Sequence, residues 1–205
     1  MKNDSRYFDV EDMFCNLFVI AGDYQIKKDL FTRSIEGHPF INDIEKGDFQ
    51  QAYERPLLDV FKDCFGLQLS TNEQENVIND YYWVGKCYFY IQSETHKSFS
   101  YIFLKLPFEE LHNMFYPYHE TDISHILDIF LEKEKEHTII ELLCKRRKIS
   151  VTYLSKETGI AVSTLRKYRQ KDEYLYKASF NNIYRLVQFF SVPETLFLET
   201  IPTLK

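Results

Sequence analysis

The residues of this 205-residue chain best able to do chemistry are six histidines, four cysteines and a scatter of carboxylates. In "HETDISH" the spacing of His119 and His125 does not put both imidazoles on one helical face, and neither an H-x-x-x-H pair nor a neighbouring cysteine completes a zinc set. Cys15, Cys64, Cys87 and Cys144 are dispersed, with no C-x-x-C pair. Glu109, Glu110, Glu120 and Asp122 could be imagined as acid/base pairs, but first-turn carboxylates after a proline or threonine, as after Pro107 and Thr121, are ordinary helix starts that complement the dipole. There is no phosphate-cradling glycine loop, no G-x-S-x-G elbow and no nucleophilic-cysteine signature. The expectation is a protein that is not an enzyme and takes no metal or other cofactor.

A second kind of chemistry sits in "LSKETGIAVSTLRKYRQ", Leu154 to Gln170. Ser163, Arg166 and Lys167 fall on the outer side of a short helix that follows a glycine turn, and hydroxyls and cations placed there are donors for phosphate oxygens and base edges. The charge distribution agrees. Net charge is −6, yet residues 138 to 205 hold 12 Lys/Arg against 6 Asp/Glu, which leaves 13 against 25 in the residues before them. Such asymmetry is expected where the basic part meets nucleic acid, while the acidic part is repelled by phosphate and faces elsewhere.

The elements that must position these residues read as helices. Apolar residues recur at steps of three and four, and prolines and glycines fall mainly between the runs, so the expected fold class is all-α with little or no sheet. With 44% hydrophobic and 27% charged residues the chain folds, and 15 Tyr, 18 Phe and one Trp predict a core rich in rings. "DVEDMFCNLFVIAGDY" is expected to be capped by Asp9, to turn Met13, Phe14, Leu17 and Phe18 inward, and to stop near Gly22. "RPLLDVFKDCFG" carries Pro56 in its first turn, Leu57, Val60, Phe61 and Cys64 on one side, and Gly66 at its end. "STNEQENVINDYYWVGKCYFYIQSETH" is the longest candidate, with Val77, Tyr81, Val84, Tyr88 and Ile91 as its stripe and a second half apolar nearly all round. The rings of Tyr81, Tyr88, Tyr90 and Tyr101 fit a core better than a ligand pocket. "SFSYIFLKL" is open between helix and strand. Pro107 opens "PFEELHNMF", Pro117 breaks it, and Ile123, Ile126, Leu127 and Phe130 mark the next helix.

"EKEKEH", after Leu131, holds no apolar residue. It reads either as a boundary between an acidic helical domain, residues 1–134, and a basic domain, residues 138–205, or as the solvated stretch of one helix joining them. In the second part "TIIELLCKRRK" turns Ile139, Leu142 and Leu143 inward and ends in Arg146, Arg147 and Lys148. Ser150 caps "VTYLSKET", in which Leu154 points inward; Gly159 makes a turn, Ile160 packs beneath it, and Leu165 and Tyr168 are the inward residues of "VSTLRKY". Ser179 caps "SFNNIYRLVQFFSVPETLFLE", with Phe180, Ile183, Tyr184 and Val187 inward and Pro193 opening a last short helix.

Two helices joined by a tight glycine-bearing turn make a helix-turn-helix. On Leu154, Gly159, Ile160, Leu165 and the closing pair of helices, residues 138 to about 200 resemble the Cro and phage-repressor (lambda repressor-like, XRE-like) type of domain, over about a third of the chain. The resemblance implies five helices, with the second of the pair entering a major groove amino end first. It implies that Val162, Ser163, Thr164 and Lys167 face bases, with Arg166 at the groove rim or on phosphate. It assigns backbone contacts to Ser150, Val151 and Thr152 through amides and hydroxyls, with Lys156, Arg169 and Lys171 alongside.

Three departures are visible. Ala161 stands where the family often has a capping residue, the usual glycine after the second helix is absent, and Asp172 and Glu173 lie in the longer link "RQKDEYLYKAS".

The function implied is a sequence-specific DNA-binding transcriptional regulator, a repressor acting on double-stranded DNA as a homodimer, with the amino-terminal domain dimerising or sensing a partner. The rival reading is an antitoxin-like or phage-associated inhibitor, whose acidic domain captures a protein partner while the helix-turn-helix autoregulates. The dispersed cysteines and the amino terminus "MKNDSRYFDVED", which lacks a signal-peptide run, point to a cytoplasmic protein. No apolar stretch approaches the roughly 20 residues that span a bilayer.

Overall fold

The computed structural model describes residues 5–66 and 80–199. Among them every regular element is a helix and no strand occurs. The order is α1 Tyr7–Asp23, α2 Lys28–Ile35, α3 Pro39–Lys46, α4 Phe49–Tyr53, α5 Leu57–Phe65, α6 Asp80–Thr95, α7 Phe99–Lys105, α8 Phe108–Asn113, α9 Phe115–Tyr118 and α10 Ser124–Glu136. It continues with α11 Ile139–Arg147, α12 Val151–Thr158, α13 Val162–Gln170, α14 Glu173–Tyr176, α15 Phe180–Phe190 and α16 Thr195–Leu198. Two compact units result, Met1–Phe130 and Leu131–Lys205. Helix α10 runs unbroken through the charged stretch to Glu136, so that stretch is helical while the division falls just before it. Among the described residues no helix is long and apolar enough to cross a membrane.

In the first unit α1 and α6 pack most closely. A Cβ on Gly85 would stand 2.8 Å from the Cα of Cys15, so this pair of helices touches backbone to backbone and only glycine fits. Rings fill the space around the contact. Phe14 stacks on Phe99 at 4.6 Å, Phe18 meets Phe31 edge-on at 4.7 Å, and the buried Tyr88 places its hydroxyl 2.8 Å from the Leu106 carbonyl, to which it donates. Of the tyrosine stripe, Tyr88 and Tyr101 are core residues, and Tyr81 and Tyr90 are half-buried. Val77 and the rest of that candidate helix before Asp80 lie outside the described residues.

"SFSYIFLKL" resolves as α7. Ser98 caps it by accepting from the Tyr101 N–H, and Glu45 reaches across from α3 to accept from the Phe99 N–H at 2.6 Å. His112 is held between elements: Nδ1 lies 3.0 Å from Lys28 Nζ, and Nε2 lies 2.7 Å from Asp80 Oδ2. Lys28 also pairs with Glu109 at 2.9 Å, so this histidine and that carboxylate tie α2, α6 and α8 together.

Several local expectations are corrected. Helix α1 begins at Tyr7, so Asp9 lies inside the first turn, where it pairs with Arg6 at 3.2 Å instead of capping; the helix does stop near Gly22, at Asp23. Pro56 is the residue preceding α5, and Gly66 ends that helix in the left-handed conformation at φ 65°. Pro117 is not the breaker. The helix after Pro107 stops at Asn113, and Pro117 sits in the first turn of α9, where an N–H has no intrahelical partner to lose. Phe180 and Tyr184 do not turn inward on α15; Leu186 and Phe190 do. The side chains of Ile183 and Val187 are half-buried between these two sides.

Candidate nucleic-acid interface

Helices α12 and α13 are joined by Gly159, Ile160 and Ala161. Gly159 takes φ 66°, a conformation that disfavours any side chain, and its N–H donates back to the Ser155 carbonyl at 2.8 Å. Two hydroxyls from α12 hold the turn: Ser155 Oγ donates to the Ile160 carbonyl at 2.6 Å, and Thr158 Oγ1 donates to the Leu154 carbonyl while accepting from the Ile160 N–H. Arg185 on α15 closes it from the other side by donating to the Thr158 carbonyl at 3.2 Å. No side chain caps α13 at Ala161, which leaves amides at its amino end without a side-chain acceptor, at a cost of about 1 kcal/mol.

The inner face of α13 is Leu165, fully buried, and Tyr168, whose hydroxyl accepts from Asn182 Nδ2 at 3.1 Å. Its carboxyl end is tied to the start of α11. Thr138 Oγ1 donates to the Arg169 carbonyl at 3.3 Å and accepts from the Glu141 N–H, and Asp172 Oδ1 accepts from the Ile139 N–H at 2.9 Å. With α13 fixed to α11 and α15, Ser163, Arg166, Lys167 and Arg169 are left exposed, and Val162 and Thr164 are half-buried. These are donors and cations on one short rod, with a bare amino end.

Ser150 caps α12 by accepting from the Tyr153 N–H, and Thr152, Lys156 and Lys171 are exposed. Val151 is 8% exposed, so its side chain packs inward and only its amide is available for contact. Tyr153, which the spacing did not single out, puts a half-exposed phenol in the same first turn of α12.

The two acids of the link do not stand free. Asp172 is half-buried on the Ile139 amide, and Glu173 pairs with Lys177 one turn on, which holds its carboxyl below the usual range. The link itself forms the one-turn α14. Arg147 leaves the basic set as well, since its guanidinium donates to the Phe189 and Phe190 carbonyls at 2.7 Å each and so ends α15. Polar residues near a helix end are ambiguous in sequence between ligand contact and capping, and for Asp172 and Arg147 the fold selects capping.

Burial pushes the thiols of Cys15 and Cys87 up, and that of Cys64 up to about 11, which leaves them poor nucleophiles. His119 stacks on Phe115 at 4.5 Å, and among the described residues no group of three His, Cys, Asp or Glu is placed to hold a metal ion. The chain matches no protein-family model, no curated protein and no solved structure.

Proposed function

We propose that the chain is a sequence-specific DNA-binding transcriptional regulator, a cytoplasmic repressor that binds double-stranded DNA as a homodimer through a helix-turn-helix made of α12 and α13. One observation carries the reading. Helix α13 is anchored by Leu165, Tyr168 and its tied carboxyl end, while its amino end carries no side-chain cap and Ser163, Arg166 and Lys167 are exposed along it. A rod of that kind fits a major groove, where hydroxyls bond several bases, Lys167 favours the guanine acceptors, and Val162 can touch a thymine methyl.

Phosphate contacts fall to Arg166, Arg169, Lys156 and Lys171, and to the amides at the capped start of α12 behind Ser150, Val151 and Thr152. The acidic balance before residue 138 supports the division of labour, because phosphate repels it.

The test is selection of sites from random duplexes by the full-length protein. An enriched inverted repeat, its half-sites about 34 Å or a multiple apart, supports both sequence reading and a two-fold dimer. A pool that stays random after several rounds, with affinity set by salt alone, sinks the reading.

A further inference from the structure

We propose that the hollow bounded by α14, α15 and the start of α16 binds an organic cation, an ammonium group carried on an apolar body. Its floor is Leu175 and Phe197, both buried, with the half-buried Ile183 beside them. Tyr176, Phe180 and Leu198, each half exposed or more, stand round its rim. Its volume of about 330 Å³ falls at the lower end of small-molecule sites, which run from roughly 300 to 1,000 Å³.

Charge selects the ligand. Among the described residues Glu194 is the only charged one on the lining; it is exposed, and its carboxylate enters no hydrogen bond or ion pair there. Lys177, between the lining residues Tyr176 and Ala178 in sequence, is held by Glu173 instead. The rim rings act in the same sense as the carboxylate. Phe180 lies against Tyr184 with ring centroids 6.4 Å apart, which braces it at the edge of the hollow. Carboxylate and aromatic faces attract a cation and repel an anion, and a neutral polar head gains less from either. The apolar floor takes the rest of the molecule.

The walls lead to the helix-turn-helix. Leu175 lies in the link after α13, where Asp172 caps α11, and Ile183 follows Asn182, whose Nδ2 donates to the Tyr168 hydroxyl of α13. A ligand touching both sides ties α14 to α15 and stiffens the seat of α13. On the regulator reading, on which this coupling alone rests, the amine acts as a corepressor and raises affinity for DNA.

The experiment uses three probes that share an indole ring and differ in charge: tryptamine, tryptophol and indole-3-acetate. Binding to the full-length protein is measured by isothermal titration calorimetry for wild type, Glu194→Gln and Ile183→Trp, with circular dichroism to verify folding. Wild type is expected to bind tryptamine about fivefold more tightly than tryptophol, and indole-3-acetate most weakly. Glu194→Gln, at an exposed position, is expected to keep tryptophol binding and to cut the preference for the amine to about twofold. Ile183→Trp fills the hollow and is expected to abolish binding of all three; should it fail to fold, Glu194→Gln decides alone.

Tryptamine that fails to bind at millimolar concentration overturns the proposal, and a hollow closed by a second copy or by the chain itself gives that result. Three probes bound alike, or an amine preference that survives Glu194→Gln, overturn it too. The regulator reading is tested apart: tryptamine is expected to raise wild-type affinity for a selected duplex about fivefold. If the amine binds with the expected preference to a protein that binds no duplex, the site stands and the DNA assignment falls.

Discussion

Asp172 Oδ1 lies 2.9 Å from the backbone nitrogen of Ile139, so an acid at the end of α13 caps the first turn of α11. This contact ties the link after α13 to the start of α11 and helps to fix where α13 lies. Asp172→Ala is therefore expected to lower the stability of the second unit by about 1 kcal/mol and to weaken DNA binding without altering its salt dependence. Urea unfolding followed by binding at two salt concentrations reads both effects. Tighter binding in the variant would mean that the carboxylate faces phosphate after all.

His38 supplies a pH dependence in the first unit. Its Nδ1 accepts from the Phe40 N–H at 3.2 Å and caps α3, and burial holds its pKa below 6.5, with the Asp63 carboxylate partly opposing. The unfolded chain then takes up this proton first as pH falls, so the contribution is complete above about 6.5 and is lost progressively below it. His38→Asn keeps a capping side chain that does not titrate. Denaturation midpoints at pH 7.5 and 5.5 should differ less for the variant than for wild type, and equal differences would remove His38 from the account.

Gly85 tests the α1 and α6 contact. Alanine normally favours a helix by about 1 kcal/mol over glycine, yet here the added methyl would meet the Cys15 Cα at 2.8 Å and the Phe18 ring at 3.1 Å. Backbone cannot yield as a flexible side-chain tip does. Gly85→Ala is expected to destabilise by about 1–3 kcal/mol in chemical denaturation, and a neutral or stabilising result would show that the helices sit further apart.

The helical character of the chain was legible because its apolar spacing rarely leaves the helical period and its breaks carry proline, glycine or a capping hydroxyl. Ser150, Ser179, Gly66 and Gly159 do what their types suggest. What could not be read depends on contacts distant in sequence. "SFSYIFLKL" is helical in part because Glu45 reaches its first turn, and nothing near Phe99 announces that carboxylate. Within the candidate interface, the outward set on α13 follows from the positions of Leu165 and Tyr168. The capping roles of Asp172 and Arg147 do not, since each reaches a helix end more than thirty residues away. Phe180 and Tyr184 misled because apolar residues at helical spacing look inward whether or not a core covers them, and here they are exposed.

The most direct test of the central claim is the salt dependence of duplex binding by Arg166→Ala and Lys167→Ala, measured on a selected site and on single-base variants of it. Arg166→Ala is expected to weaken all sequences alike and to reduce the log–log salt slope by about one; Lys167→Ala should cost about 1–3 kcal/mol and relax preference at one base pair. Wild-type affinity, slope and selectivity in both variants would contradict the docking of α13 in a groove, and with it the regulator assignment.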